Sequence, residues 1–116
     1  MKIIRLYTGG DQKSRFEEIE LQFGGEQKIL TTDARAATSA VFRCVPAGTV
    51  LERHPAPRRQ YLVGLSGSWD IEAGNGVVRR FKAGDVMLAD DTTGEGHISR
   101  VIGQEPFIFM TVPLAD

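Results

Sequence analysis

The chain holds two histidines, His54 and His97, and one cysteine, Cys44. Imidazole changes charge near neutral pH, so the two rings are the first candidates for proton transfer or metal ligation. Other groups could complete either chemistry. Gln60 offers a neutral amide oxygen, and Glu52, Asp90, Asp91 and Glu95 offer carboxylates. Two imidazoles and an amide neutralise none of a divalent charge, so a metal on His54, Gln60 and His97 needs a carboxylate from Asp90, Asp91, Glu52 or Glu95. A metal-free site would use His54 or His97 as general acid or base. Each residue also has a plainer role. His54 precedes Pro55 and fits a hydrogen-bonded turn, and His97 fits a strand-end cap. Gln60 fits a buried amide bonded to backbone, and Asp90 and Asp91 fit turn formers. A lone cysteine excludes an intrachain disulfide and a cysteine-based zinc cluster. Its apolar run, Val41-Phe42-Arg43-Cys44-Val45, predicts a buried, inert thiol.

These residues must be positioned by short strands. The sequence is cut by Gly, Pro and Asp into about ten short stretches of strand character. They run over 2–7, 14–23, 38–45, 49–54, 58–65, 69–72, 77–81, 86–89, 97–102 and 106–113. Ser66-Gly67 and Gly74-Asn75-Gly76 read as hairpin turns. Only 32–37 has helix-compatible composition, and it is too short to stand alone. The pattern predicts an all-β antiparallel sandwich or barrel. Trp69 and Phe42 read as core. In regular strands, alternation puts Glu52 with His54 and Ala56, Arg58 with Gln60 and Leu62, and His97 with Ser99 and Val101.

Composition narrows the function classes. The 116 residues suit one domain, read here as 1–116, with N-terminal strands in 1–25 and a motif-bearing barrel in 38–113. Lys+Arg 14 against Asp+Glu 15 leaves a net charge of −1, without the basic excess of a general nucleic-acid binder. Hydrophobic content of 41% with 25% charged residues is that of an ordinary globular chain. No apolar run approaches the ~20 residues of a membrane helix. Arg5 interrupts the apolar N-terminus, so no secretory leader and a cytoplasmic location are expected.

Gly48, five residues, His54, one residue, Ala56, three residues, Gln60, six residues and Gly67 resemble the first motif of the cupin superfamily. That motif has a second His where Ala56 stands and a Glu where Gln60 stands. Gly84, five residues and Asp90, then His97 and Val101, resemble the second motif. Here Asp90 replaces a proline, Val101 replaces an asparagine, and His97 arrives two residues late. The two motifs span about half the chain, and the resemblance is to small single-domain cupins. It implies a double-stranded β-helix, or jelly-roll (RmlC-like), barrel with a pocket lined by His54, Gln60, His97, Arg58 and Ser99. In the family, three His and one Glu usually hold Fe, Mn, Ni, Zn or Cu. This chain lacks one His and the Glu.

Three functions follow as expectations. The first is a small-molecule-binding, metal-free cupin with His54 or His97 as acid–base residue. The second is a metal-dependent dioxygenase, isomerase or lyase using His54, Gln60 and His97 with Fe, Mn, Ni or Zn. The third is a non-catalytic interaction protein with a relic pocket. The apolar residues Phe16, Ile19, Leu21 and Phe23, and those in 107–112, exceed what one small barrel needs, so a homodimer is expected. A small-molecule ligand, no nucleic acid and no membrane complete the expected partners.

Overall fold

The computed structural model describes residues 1–26 and 28–116. The described residues contain ten strands and no helix: β1 (Lys2–Thr8), β2 (Ser14–Glu20), β3 (Val41–Val45), β4 (Val50–His54), β5 (Gln60–Ser66), β6 (Ser68–Glu72), β7 (Val78–Lys82), β8 (Val86–Asp90), β9 (His97–Ile102) and β10 (Phe107–Pro113). They form a six-stranded sheet, β2-β1-β8-β5-β10-β3, and a four-stranded sheet, β4-β9-β6-β7. Every pairing is antiparallel except β1 with β8. That parallel exception joins the N-terminal strand to the strand leading into the Asp90–His97 loop. No helix is long and apolar enough to cross a membrane.

Alternation builds the core between the sheets. On β10, Phe107, Phe109, Thr111 and Pro113 are buried, while Ile108, Met110 and Val112 are half-buried on the other face. Trp69 of β6 packs on Phe107 and Phe109 with ring centroids 4.7 and 4.8 Å away. Leu6, Ile71, Phe81, Met87 and Ala89 join them. Ile3, Leu88 and Leu114 form a second cluster with Tyr61 and Leu21, on the outer face of the six-stranded sheet.

The unequal sheets explain two differences from the sequence reading. Four strands cannot cover six, so β3 overhangs at the edge with β10 as its only paired strand among the described residues. Phe42 is 73% exposed rather than core, and Cys44 is exposed rather than buried. An edge strand with an apolar sequence reads like a core strand, because hydrophobicity does not reveal the width of the opposing sheet. Cys44 in the folded protein is expected to react with a maleimide to one label per chain, followed by mass spectrometry. A thiol that reacts only in denaturant would contradict this. The 14–23 strand also stops early, at Glu20, and leaves Phe23 49% exposed.

Candidate functional site

β4 and β9 bring the two histidines together. The register pairs Leu51 with Ser99 and then His54 with His97, so three steps along β4 match two along β9. This bulge reverses the parity of β4. Leu51 and His54 both face the side that carries Ser99 and His97, and the regular alternation expected for Glu52, His54 and Ala56 fails. Glu52 therefore leaves the set. It is exposed, and its backbone carbonyl oxygen lies 2.5 Å from His54 Nδ1. A carbonyl only accepts, so His54 donates from Nδ1 and turns Nε2 away. The His54 and His97 ring centroids stand 5.1 Å apart, tilted by 47°.

His97 has a dedicated partner. Its Nδ1 lies 2.6 Å from Asp91 Oδ2, with the His97 side chain 8% exposed and Asp91 at 0%. Nδ1–H donates to the carboxylate, which again leaves Nε2 as the free ring nitrogen. The other carboxylate oxygen, Oδ1, is buried without a hydrogen-bond partner among the described residues. The Asp91 carbonyl accepts from Ala56 N–H at 3.0 Å, tying this residue to the segment between β4 and β5.

The neighbouring Asp90 does not join the site. It pairs with Tyr7 in the register, on the outer face of the sheet, away from Ala89 and the core. Arg5 Nη2 lies 2.7 Å from Asp90 Oδ2, and Arg59 Nε lies 3.3 Å from Oδ1. Hydrogen bonds that the Arg5 guanidinium donates to Glu17 and then to Asp90 hold it above its ordinary pKa. Alternation across one peptide bond thus sends Asp90 to an arginine clamp and Asp91 to His97.

The other expected residues divide. Gln60 is buried on the inner face, opposite Ala89 and Pro113, with no hydrogen bond to either ring among the described residues. Ser99 is 2% exposed, between Leu51 and Ile71 in the register, and belongs to the packed interior rather than the mouth. Arg58 is exposed in the bend before β5, while Arg59 makes the ion pairs, including 2.6 Å to Asp116. Glu95 is exposed. Sequence reading missed Ser14, whose buried hydroxyl holds the loop before His97 at 2.8 Å. No local signal marks it, because its partner is 82 residues away.

These donors do not fit a cupin metal centre. No group of three His, Cys, Asp or Glu able to hold a metal ion occurs among the described residues. Asp91 is committed to His97, Asp90 to arginines, and Ala56 has no donor atom. What remains is neutral: two imidazoles and an amide.

The comparisons agree with the architecture. No protein-family model and no curated protein matches the chain. Among solved structures, it is similar to an uncharacterized conserved protein with a double-stranded β-helix domain from Klebsiella pneumoniae, at 28% identity over 70% of this chain and 75% of that one, with TM-score 0.53. It is similar in fold to a Cupin 2 conserved barrel domain protein from Salinispora arenicola, at 18% identity over 80% and 79%, with TM-score 0.54. Bacillus subtilis oxalate decarboxylase matches at 26% identity and TM-score 0.51 over 70% of this chain, which spans only 22% of that enzyme. With two facing β-sheets and double-stranded β-helix barrels as structural neighbours, the chain has the fold of the small cupin barrels.

Proposed function

We propose that the chain is a metal-free, small-molecule-binding cupin in which His97, held by Asp91, exchanges a proton with the bound molecule. The supporting observation is the 2.6 Å contact between the buried Asp91 carboxylate and His97 Nδ1. A carboxylate on Nδ1 fixes the ring tautomer and orientation and stabilises the imidazolium that forms when Nε2 takes a proton. His54, whose ring centroid stands 5.1 Å from that of His97, serves as a second polar contact for the ligand. Gln60 lines the inner wall as a neutral amide. The aromatic packing of Trp69, Phe107 and Phe109 fills the space between the sheets, so the ligand sits at the barrel mouth rather than deep inside.

The competing reading is metal-dependent catalysis, since the oxalate decarboxylase neighbour has Mn(II) centres. The neutral donor set argues against it. One titration separates the readings. The histidine ring signals are followed by nuclear magnetic resonance while small sugars, carboxylates and amino acids are added, and then Zn2+, Ni2+, Mn2+ and Fe2+. The expected result is an organic ligand that shifts the His54 and His97 rings together and loses affinity in His97→Ala, with no stoichiometric metal binding at micromolar concentration. Stoichiometric metal binding that disappears in His54→Ala would replace the proposal with the metal-dependent reading. A panel that moves neither ring would favour a relic pocket.

A further inference from the structure

The β1–β2 hairpin grips the Asp91–His97 loop at three points. Thr8 Oγ1 donates to the Thr93 carbonyl at 2.9 Å, Glu95 N–H donates to the Gln12 carbonyl at 2.9 Å, and Ser14 Oγ donates to the Gly96 carbonyl at 2.8 Å. Ser14 is fully buried. Its Oγ also accepts from Gly74 N–H at 2.7 Å, and its carbonyl accepts from Asn75 N–H at 3.1 Å. One hydroxyl thus joins the hairpin, the β6–β7 turn and the residue before His97. Gln12 adds a second sign of constraint. It is the one non-glycine residue with positive φ among those described, at 68°, and its carbonyl serves Glu95.

We infer that the N-terminal hairpin sets the geometry of the Asp91–His97 pair, with Ser14 as its principal positioning residue and Thr8 as a lesser one. The inference rests on the proposed role of that pair. Asp91 and His97 sit at the two ends of one polar loop, so their contact is kept only while the loop keeps its shape. That shape is anchored from outside the loop. Removing the Ser14 hydroxyl leaves Gly74 N–H without its partner and leaves the Gly96 carbonyl with only the longer 3.3 Å bond from Arg53. A buried donor without a partner is costly, and the loop relieves the cost by opening.

The test uses the full chain labelled with 15N and reads the exchange rate of the His97 Nδ1–H proton with solvent. Exchange requires the buried pair to open. Ser14→Ala is expected to speed exchange about tenfold, the effect of losing one buried hydrogen bond. Thr8→Val is expected to speed it about threefold, because that bond is more exposed, and Thr8→Ser is expected to keep the native rate. A folded Ser14→Ala protein with unchanged exchange would overturn the inference. If Ser14→Ala does not fold, an unchanged rate in Thr8→Val does the same. Asp91→Ala, which removes the acceptor, separates the two levels of argument. If it leaves the His97 proton signal in place, the pairing itself is wrong. If it removes the signal while Ser14→Ala and Thr8→Val change nothing, only the role of the hairpin fails.

Discussion

Gly96→Ala is expected to lower stability by about 2–5 kcal/mol, combining left-handed backbone strain with the cost of overpacking. Gly96 has φ +79°, and a Cβ there would stand 2.1 Å from the His54 carbonyl carbon and oxygen. The obstacle is backbone, so no side-chain rotation relieves it. The Gly96 carbonyl also accepts from Ser14 and Arg53, which leaves the loop little freedom to retreat. The strand end carrying His54 must therefore move, and the His54–His97 contact opens with it. Gly103→Ala is the control: its φ is +83°, but nothing lies within 4 Å of the added carbon. Urea denaturation should show a clearly larger loss for Gly96→Ala than for Gly103→Ala. Equal losses would mean that the His54 backbone yields easily and that the close approach carries no constraint.

His97→Leu is expected to cost about 1–3 kcal/mol, the usual result of leaving a buried hydrogen-bond acceptor without its donor. Asp91 is fully buried, and one of its oxygens already lacks a partner. Without His97 the carboxylate has no side-chain partner among the described residues. Adding Asp91→Ala to His97→Leu removes the stranded acceptor and should return at least about half of the lost stability, since neighbouring groups of this kind are strongly non-additive. The double variant should fold and yet bind no ligand through His97. The check is a double-mutant cycle in urea at neutral pH. If the two single losses simply add, the contact at 2.6 Å contributes nothing to stability and the pair is not coupled.

The two variants probe different sources of the site. Gly96 concerns the close approach of two backbones, while Asp91 and His97 concern a hydrogen bond taken out of water. Both depend on the loop between β8 and β9, which is longer here than in the motif it resembles. The extra length gives Asp91 room to turn back onto His97.

Much of this protein is legible in the sequence. Ten strands appear where alternation and turn residues put them, since period-two patterning and glycine turns are local properties. Both histidines fall on motif positions and meet across β4 and β9. The departure from the family's set of three His and one Glu is also legible, because Ala56 has no donor atom and Gln60 only a neutral amide wherever they point. Other features were decided only by tertiary structure. The bulge that separates Glu52 from His54 depends on the partner strand, not on the sequence of β4. The fates of Asp90 and Asp91 depend on which face of the sheet each meets, with Arg5 waiting on one face and His97 on the other. The exposure of Cys44 and Phe42 follows from the opposing sheet having fewer strands. Ser14 reaches Gly96 across 82 residues. Spacing along a chain sets which residues can share a strand face. Only the pairing of strands sets which faces meet, and in this chain that pairing makes Asp91, rather than Glu52, Gln60 or Asp90, the partner of His97.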